Sequence, residues 1–203
     1  STGDLARDPA SVARSGFENT PILVGDNLIV CSPFNEVIAL DPGTGAAKWR
    51  FDFQVKRDMQ PASNFFCRGV AAWRDADPAR AAAACGSRIL LATVDARLFA
   101  LDARNGSPCR DFGAGGQIRI DPGRPLEWPG EFRVTSAPAI VRDTVIVGSA
   151  ISDSRHVLAP RGTVRAFDVR TGKPRWQYDP VPPDRAKVIA AGWPDLPVGS
   201  GHG

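Results

Sequence analysis

Short apolar runs separated by polar turns recur along the chain. Ile22-Leu23-Val24, a polar break at Gly25-Asp26-Asn27 and then Leu28-Ile29-Val30 form one such pair. Ile140-Val141, Arg142-Asp143-Thr144 and Val145-Ile146-Val147 form another. Runs this short with a turn between them predict β-hairpins. Behind each pair comes a longer shared segment. Ala39-Leu40-Asp41-Pro42-Gly43-Thr44-Gly45-Ala46-Ala47-Lys48-Trp49 returns as Ala166-Phe167-Asp168-Val169-Arg170-Thr171-Gly172-Lys173-Pro174-Arg175-Trp176, with Ala, Asp, Thr, Gly and Trp coinciding. A middle copy, Ala100-Leu101-Asp102-Ala103-Arg104-Asn105-Gly106, keeps Ala, Asp and Gly and has Arg110 where the other two have tryptophan.

The Asp-x-x-Thr/Asn-Gly stretch predicts a chain reversal, because Asp and Thr side chains bond nearby amides and Gly supplies positive φ. A further strand then ends at the tryptophan. Each unit therefore holds about four strands, the signature of an all-β fold, a β-propeller of four-stranded blades. The expected arrangement is one partial propeller domain over 1–203, with about three to four blades. Its repeat units run roughly over 17–52, 86–113 and 134–179, and 180–203 forms a C-terminal loop. The repeat aspartates stand 61 and 66 residues apart, against about 40 to 50 for ordinary blades, so the units carry insertions, which build sites when they share a face. Three units do not close a ring, and the remaining half of the propeller, in the same or a second chain, is expected to cover the exposed edges.

Composition supports the β reading: 20 Gly and 18 Pro are more than helices tolerate. A net charge of +3 from 25 basic and 22 acidic residues spread along the chain predicts no nucleic-acid partner. No apolar run approaches the roughly 18 residues of a membrane span, and the start Ser1-Thr2-Gly3-Asp4 lacks the pattern of an export signal, which is expected to be either absent or already removed. Cys31, Cys67, Cys85 and Cys109 lack the close pairs of zinc sites. Cys67 and Cys85 bracket an Ala-rich excursion and are expected to form a disulfide worth on the order of 3 kcal/mol. Four buried thiols are the plainer alternative.

The Ala-x-Asp-x-x-Thr-Gly-x-x-x-Trp repeat resembles the tryptophan-docking motif of quinoprotein dehydrogenases, which depend on pyrroloquinoline quinone (PQQ). Its company strengthens the resemblance: Gly16-Phe17-Glu18-Asn19-Thr20-Pro21, Cys67-Arg68-Gly69-Val70-Ala71, Thr93-Val94-Asp95-Ala96-Arg97-Leu98 and Val147-Gly148-Ser149-Ala150 with the loop through Asp153. Together, over Thr2 to Tyr178, they are similar to the membrane-bound glucose and quinate dehydrogenase branch. The family implies an eight-bladed propeller of which this is the N-terminal half. Related alcohol dehydrogenases carry two adjacent cysteines before the arginine, and no Cys-Cys pair stands before Arg68 here.

The cofactor, with three carboxylates and an ortho-quinone on a flat ring system, needs cations and hydrogen-bond donors. Arg68 matches the family arginine that pairs with it, and a guanidinium is a permanent bidentate donor; the plainer reading is a surface arginine beside a disulfide. Thr93 at a strand end and Glu18 in the Phe-Glu-x-Thr-Pro-like motif are further candidates, each with a plainer reading, as a β-forming threonine and a solvated turn glutamate. Asp153 fits the family's Asp-Asn pair, while Ser154 replaces its amide with a hydroxyl. Asn64 stands where glucose-oxidising members carry a histidine, and it donates a hydrogen bond without titrating near neutral pH.

The resemblance places the catalytic base, the calcium or magnesium ligands and the cofactor's floor tryptophan outside this chain. No catalytic or metal residue is assigned within it. Trp193 reads as a loop tryptophan, and His156 and His202 are isolated. The expected activity is oxidation of a small-molecule sugar, polyol or alicyclic hydroxy acid in the periplasm, with a quinone accepting the electrons. This chain alone is expected to be inactive. The alternative is a non-catalytic propeller scaffold of the outer-membrane assembly type, which has no use for the Cys-Arg-Gly-Val motif.

Overall fold

A computed structural model describes residues 3, 6, 8–60, 64–152, 159–181 and 184–192. Three antiparallel four-stranded sheets follow one another along the chain. The first comprises β1 (Ile22–Val24), β2 (Asn27–Cys31), β3 (Glu36–Leu40) and β4 (Ala47–Asp52). The second comprises β5 (Ala71–Arg74), β6 (Ser87–Ala92), β7 (Arg97–Asp102) and β8 (Gln117–Arg119), with a short helix α1 (Pro78–Ala82) between its first two strands. The third comprises β10 (Ala139–Val141), β11 (Thr144–Val147), β13 (Val164–Asp168) and β14 (Pro174–Tyr178). A two-stranded ladder joins β9 (Phe132–Arg133), ahead of the third sheet, to β12 (Ala150–Ile151), in the connection after β11. A helix α2 (Arg185–Ala190) follows β14.

The repeat extends to backbone detail. Both β3–β4 and β13–β14 shift register beside the repeat alanine, between Ala39 and Leu40 and between Ala166 and Phe167. Asp41 Oδ1 accepts hydrogen bonds from the amides of Gly43 (3.0 Å) and Thr44 (2.9 Å) and from the Thr44 hydroxyl (3.0 Å). Asp168 does the same with the Arg170 and Thr171 amides and the Thr171 hydroxyl, at 3.0, 2.8 and 2.9 Å. The aspartate thus fixes the turn locally, which is why its spacing to Thr and Gly recurs.

The sheets pack face to face, and this sets the burial pattern. β6 and β7 are sandwiched between the other two sheets. Ile89, Leu91, Phe99 and Leu101 join a core with Ile29, Val37 and Phe53 of the first unit, while Leu90, Ala92, Leu98 and Ala100 join one with Val145, Phe132 and Phe167 of the third. Burial on both faces explains the unbroken apolar runs Ile89–Ala92 and Leu98–Leu101. β14, at the outer edge of the third sheet, is exposed throughout.

Trp49 covers the Asn105-Gly106 turn of the second unit so closely that a Cβ on Gly106 would lie 2.5 Å from its ring. The middle unit has no tryptophan to repeat this, and Arg110 points to solvent. There the turn of the third unit packs on Phe112 and Ile118, and the Gly113 amide donates to Thr171 O at 2.9 Å. Gly106 also has φ +72, so Gly106→Ala combines a clash with left-handed strain. It is expected to destabilise by roughly 1–2 kcal/mol, read as a lower urea midpoint with an unchanged slope.

Arg170 joins the second and third units by charge. Its guanidinium contacts buried Asp75 (3.0 Å) and Asp143 (3.0 Å) and lies 4.7 Å from the Trp73 ring. Arg80 and the Asp77 amide, opposed by burial and helped by Arg170, hold Asp75 well below the usual carboxylate range.

The cysteines pair differently from expectation: Cys31 with Cys67 (Cα–Cα 6.0 Å) and Cys85 with Cys109 (5.7 Å). Cys67 precedes β5 and Cys85 precedes β6, its antiparallel neighbour, so the two lie at opposite ends of the second sheet. Four strand residues span roughly 13 Å, about twice the reach of a disulfide.

Candidate functional site

Strand direction gathers the candidates on one face. In each sheet the first strand starts, the second ends, the third starts and the fourth ends at the same side, because neighbours are antiparallel. Glu18 lies ahead of β1 and Asn64 and Arg68 ahead of β5, whereas Thr93 follows β6. The described candidates Glu18, Asn64, Arg68 and Thr93 therefore lie on one face of the first two sheets.

The approach segments run side by side. Residues 15–20 run parallel to 65–69, through bridges Ser15 to Phe65 and Thr20 to Gly69. The Gly16 amide donates to Phe65 O (3.0 Å) and the Thr20 amide to Arg68 O (3.1 Å). The Arg68 amide donates onward to Thr135 O of the third unit (3.2 Å). Gly69 permits this spacing: at φ +147, its Cβ would sit 3.3 Å from Thr20 O and 3.5 Å from the Ala137 side chain.

Three consecutive units each contribute one polar side chain. Arg68 Nε donates to Glu18 Oε2 at 2.9 Å, and Arg68 Nη1 donates to Thr135 Oγ1 at 2.8 Å. The guanidinium lies 5.3 Å from the Phe66 ring. Its side chain is 46% exposed, and among the described residues Nη2 has no hydrogen-bond partner. Both flanks are anchored. Cys67 is tied to Cys31 at the end of β2, and Asn19 Oδ1 accepts the Cys31 amide at 3.0 Å. The residues next to Arg68 and Glu18 are thus fixed to the same point of the first sheet. The result is a held cation with one open donor, beside a carboxylate and a hydroxyl.

Thr135 was missed from sequence. The available signal was Phe132-Arg133-Val134-Thr135-Ser136-Ala137-Pro138, which echoes Phe17-Glu18-Asn19-Thr20-Pro21 ahead of a first strand. Thr93 is buried, with its hydroxyl donated to Asp95 and accepting the Arg97 amide (3.1 Å), so it fixes the β6–β7 hairpin tip. Asn64 is exposed just before Phe65. Neither makes a described hydrogen bond to Arg68 or Glu18. Asp153, Ser154, His156, Trp193 and His202 lie outside the described residues.

Among the described residues one group of three metal-capable side chains comes together, Cys85, Cys109 and Asp111. Its sulfurs are bonded to each other, Arg88 holds Asp111, and it lies at the opposite end of the second sheet. No described helix is long and apolar enough to cross a membrane.

The family model for the PQQ-dependent glucose/ethanol/alcohol dehydrogenase β-propeller domain matches residues 1–199. The chain belongs to this family. It is 35% identical to quinate/shikimate dehydrogenase (quinone) of Acinetobacter baylyi over 94% of its length and 25% of that protein's. To quinoprotein glucose dehydrogenase A of Acinetobacter calcoaceticus it is 32% identical, over 88% of this chain and 23% of the relative. Quinohemoprotein alcohol dehydrogenase from Comamonas testosteroni superposes with a TM-score of 0.66 at 26% identity, covering 85% of this chain and 22% of that one. The chain thus spans about a quarter of the length of these curated relatives. The comparisons support the quinoprotein dehydrogenase reading rather than the scaffold alternative, and the family implies PQQ and a divalent metal.

Proposed function

We propose that this chain forms one side of a PQQ site in a periplasmic dehydrogenase that oxidises a sugar, polyol or alicyclic hydroxy acid and passes the electrons to a quinone. The observation that carries this reading is the Glu18–Arg68–Thr135 chain, in which three successive units converge on one exposed, anchored guanidinium. These residues fit the cofactor's chemistry. A rigid cation with an open Nη2 suits a carboxylate or quinone oxygen, and the adjacent Thr135 oxygen and Glu18 carboxylate fix the direction of its fork. When bound, the quinone supplies hydride acceptance, and a divalent metal polarises its oxygen. This chain's own residues orient the ligand: Arg68 by charge, Glu18 and Thr135 by holding Arg68, and Thr93 by fixing the neighbouring hairpin tip. Asn64, Asp153 and Ser154 complete the proposed surroundings.

The rest of the propeller forms the other side of this site. Trp176 occupies the repeat position of Trp49, yet it is 47% exposed, beside Tyr178 at 62%. A following unit with the same turn would cover both, as the Gly106 turn meets Trp49. The base and metal ligands would come from that remainder. The test is PQQ titration of the full-length protein in calcium, followed by absorbance. Arg68→Ala is expected to weaken binding by about tenfold or more, with partial recovery in Arg68→Lys. A full-length protein that binds no PQQ, or an Arg68→Ala variant that binds it unchanged, would sink the reading. The isolated chain is expected to show no dye-linked turnover.

A further inference from the structure

A cavity of about 760 Å³ opens on the same face, between the outer strands of the first and second sheets. Its walls are the connection after β4 (Gln54 to Gln60), the β6–β7 tip with Asp95 and Arg97, the end of β8 with Gln117 and Arg119, and the loop carrying Trp128 and Pro129. The two loops are joined where the Gln60 amide donates to Pro129 O at 3.2 Å.

The back wall is rigid. Arg97 Nε donates to Asp95 Oδ2 (2.8 Å), Nη1 to Gln117 Oε1 (3.3 Å) and Nη2 to Phe53 O (2.8 Å). Arg97 and Asp95 therefore neutralise each other. The remaining charges on the lining are Lys56 and Arg119 against Asp58, all exposed and, among the described residues, without an ion pair. Gln54, Gln60 and Gln117 add amide donors and acceptors, and half-buried Trp128 adds a flat apolar wall.

This lining combines three demands in one small volume. Two cations call for a carboxylate, a carboxylate and amides call for hydroxyl groups, and an indole suits the C–H face of a polyol. A bare inorganic anion would leave the indole and Asp58 unused, while a neutral sugar would leave both cations unpaired. We infer that this cavity binds a polyhydroxylated carboxylate of monosaccharide size, held by Lys56 and Arg119 through its carboxylate, with Asp58 and the glutamines taking its hydroxyls. The site is separate from the Arg68 cluster: the β6–β7 tip stands between them, with Thr93 engaged on one side and Arg97 facing the cavity.

The experiment is isothermal titration of the chain with D-gluconate, D-glucose and inorganic phosphate, all without PQQ, so a failed cofactor titration leaves this result interpretable. Gluconate is expected to bind saturably, with glucose and phosphate each weaker by about tenfold or more. The double substitution Lys56→Gln, Arg119→Gln is expected to weaken gluconate binding by about tenfold with an unchanged thermal midpoint, since both side chains are exposed. Glucose binding as tightly as gluconate would overturn the inference. So would phosphate matching gluconate, which marks a simple anion site, an unaffected double variant, or no saturable gluconate binding.

Discussion

Reducing both disulfides is expected to lower the stability of the chain by about 7 kcal/mol, comparable with the whole stability of many domains. The bridges close loops with separations of 36 and 24 residues that do not overlap, so their effects on the unfolded chain add. Each restricts the unfolded state by roughly 3.5–4 kcal/mol in the chain-entropy account. Urea unfolding with and without a phosphine reductant, read by tryptophan fluorescence, measures the sum. Proteolysis of unreduced protein should release a peptide pair joined through Cys31 and Cys67, and a Cys67–Cys85 pair would contradict the structure. The two bridges should also separate functionally. Cys31–Cys67 fixes the residue before Arg68, whereas Cys85–Cys109 lies at the other end of the second sheet. Cys31→Ser with Cys67→Ser is therefore expected to weaken cofactor binding in the full-length protein more than Cys85→Ser with Cys109→Ser.

The pairing of the cysteines lies beyond what local sequence records. Strands, turns and their repetition were legible because they are local: Asp168 bonds residues two and three places ahead, and the pattern records that spacing. Cys31 and Cys67 meet because the first unit packs beside the approach to the second, and nothing near either cysteine encodes that packing. The same holds for Asp75, whose partners are a neighbour, Arg80, and Arg170 from 95 residues away. In the site, Arg68 and Glu18 were legible through short motifs. Thr135 was not, because no short motif marks it: the segment Phe132 to Pro138 echoes Phe17 to Pro21 only loosely, with two extra residues before its proline. The burial of Thr93 was also hidden, since a threonine at a strand end looks the same whether its hydroxyl faces a ligand or closes its own hairpin.

Acidification is expected to unfold the chain through the aspartates of the repeat. Burial pushes the Asp168 carboxyl up, but the Arg175 guanidinium, the Thr171 amide and hydroxyl and the Arg170 amide outweigh it and hold the group at about 2, against 3.8 unperturbed. A folded-state value below the unfolded one means that the stabilisation is complete above the unfolded value. It is lost as pH falls from about 5 through 2. With 23% of its side chain exposed, Asp168 alone contributes about 2 kcal/mol of that loss. Asp41 is lowered in the same direction by the Thr44 amide and hydroxyl, and Asp102 by Arg104 and the Cys85 and Arg104 amides against burial, so three successive turns weaken together. Urea midpoints at pH 7, 5 and 3 should fall steeply between the last two. Asp168→Asn should start lower at pH 7 and lose less on acidification, because the group that takes up the proton is gone. A variant whose stability falls as steeply as the parent's would show that the turn aspartates do not drive acid unfolding.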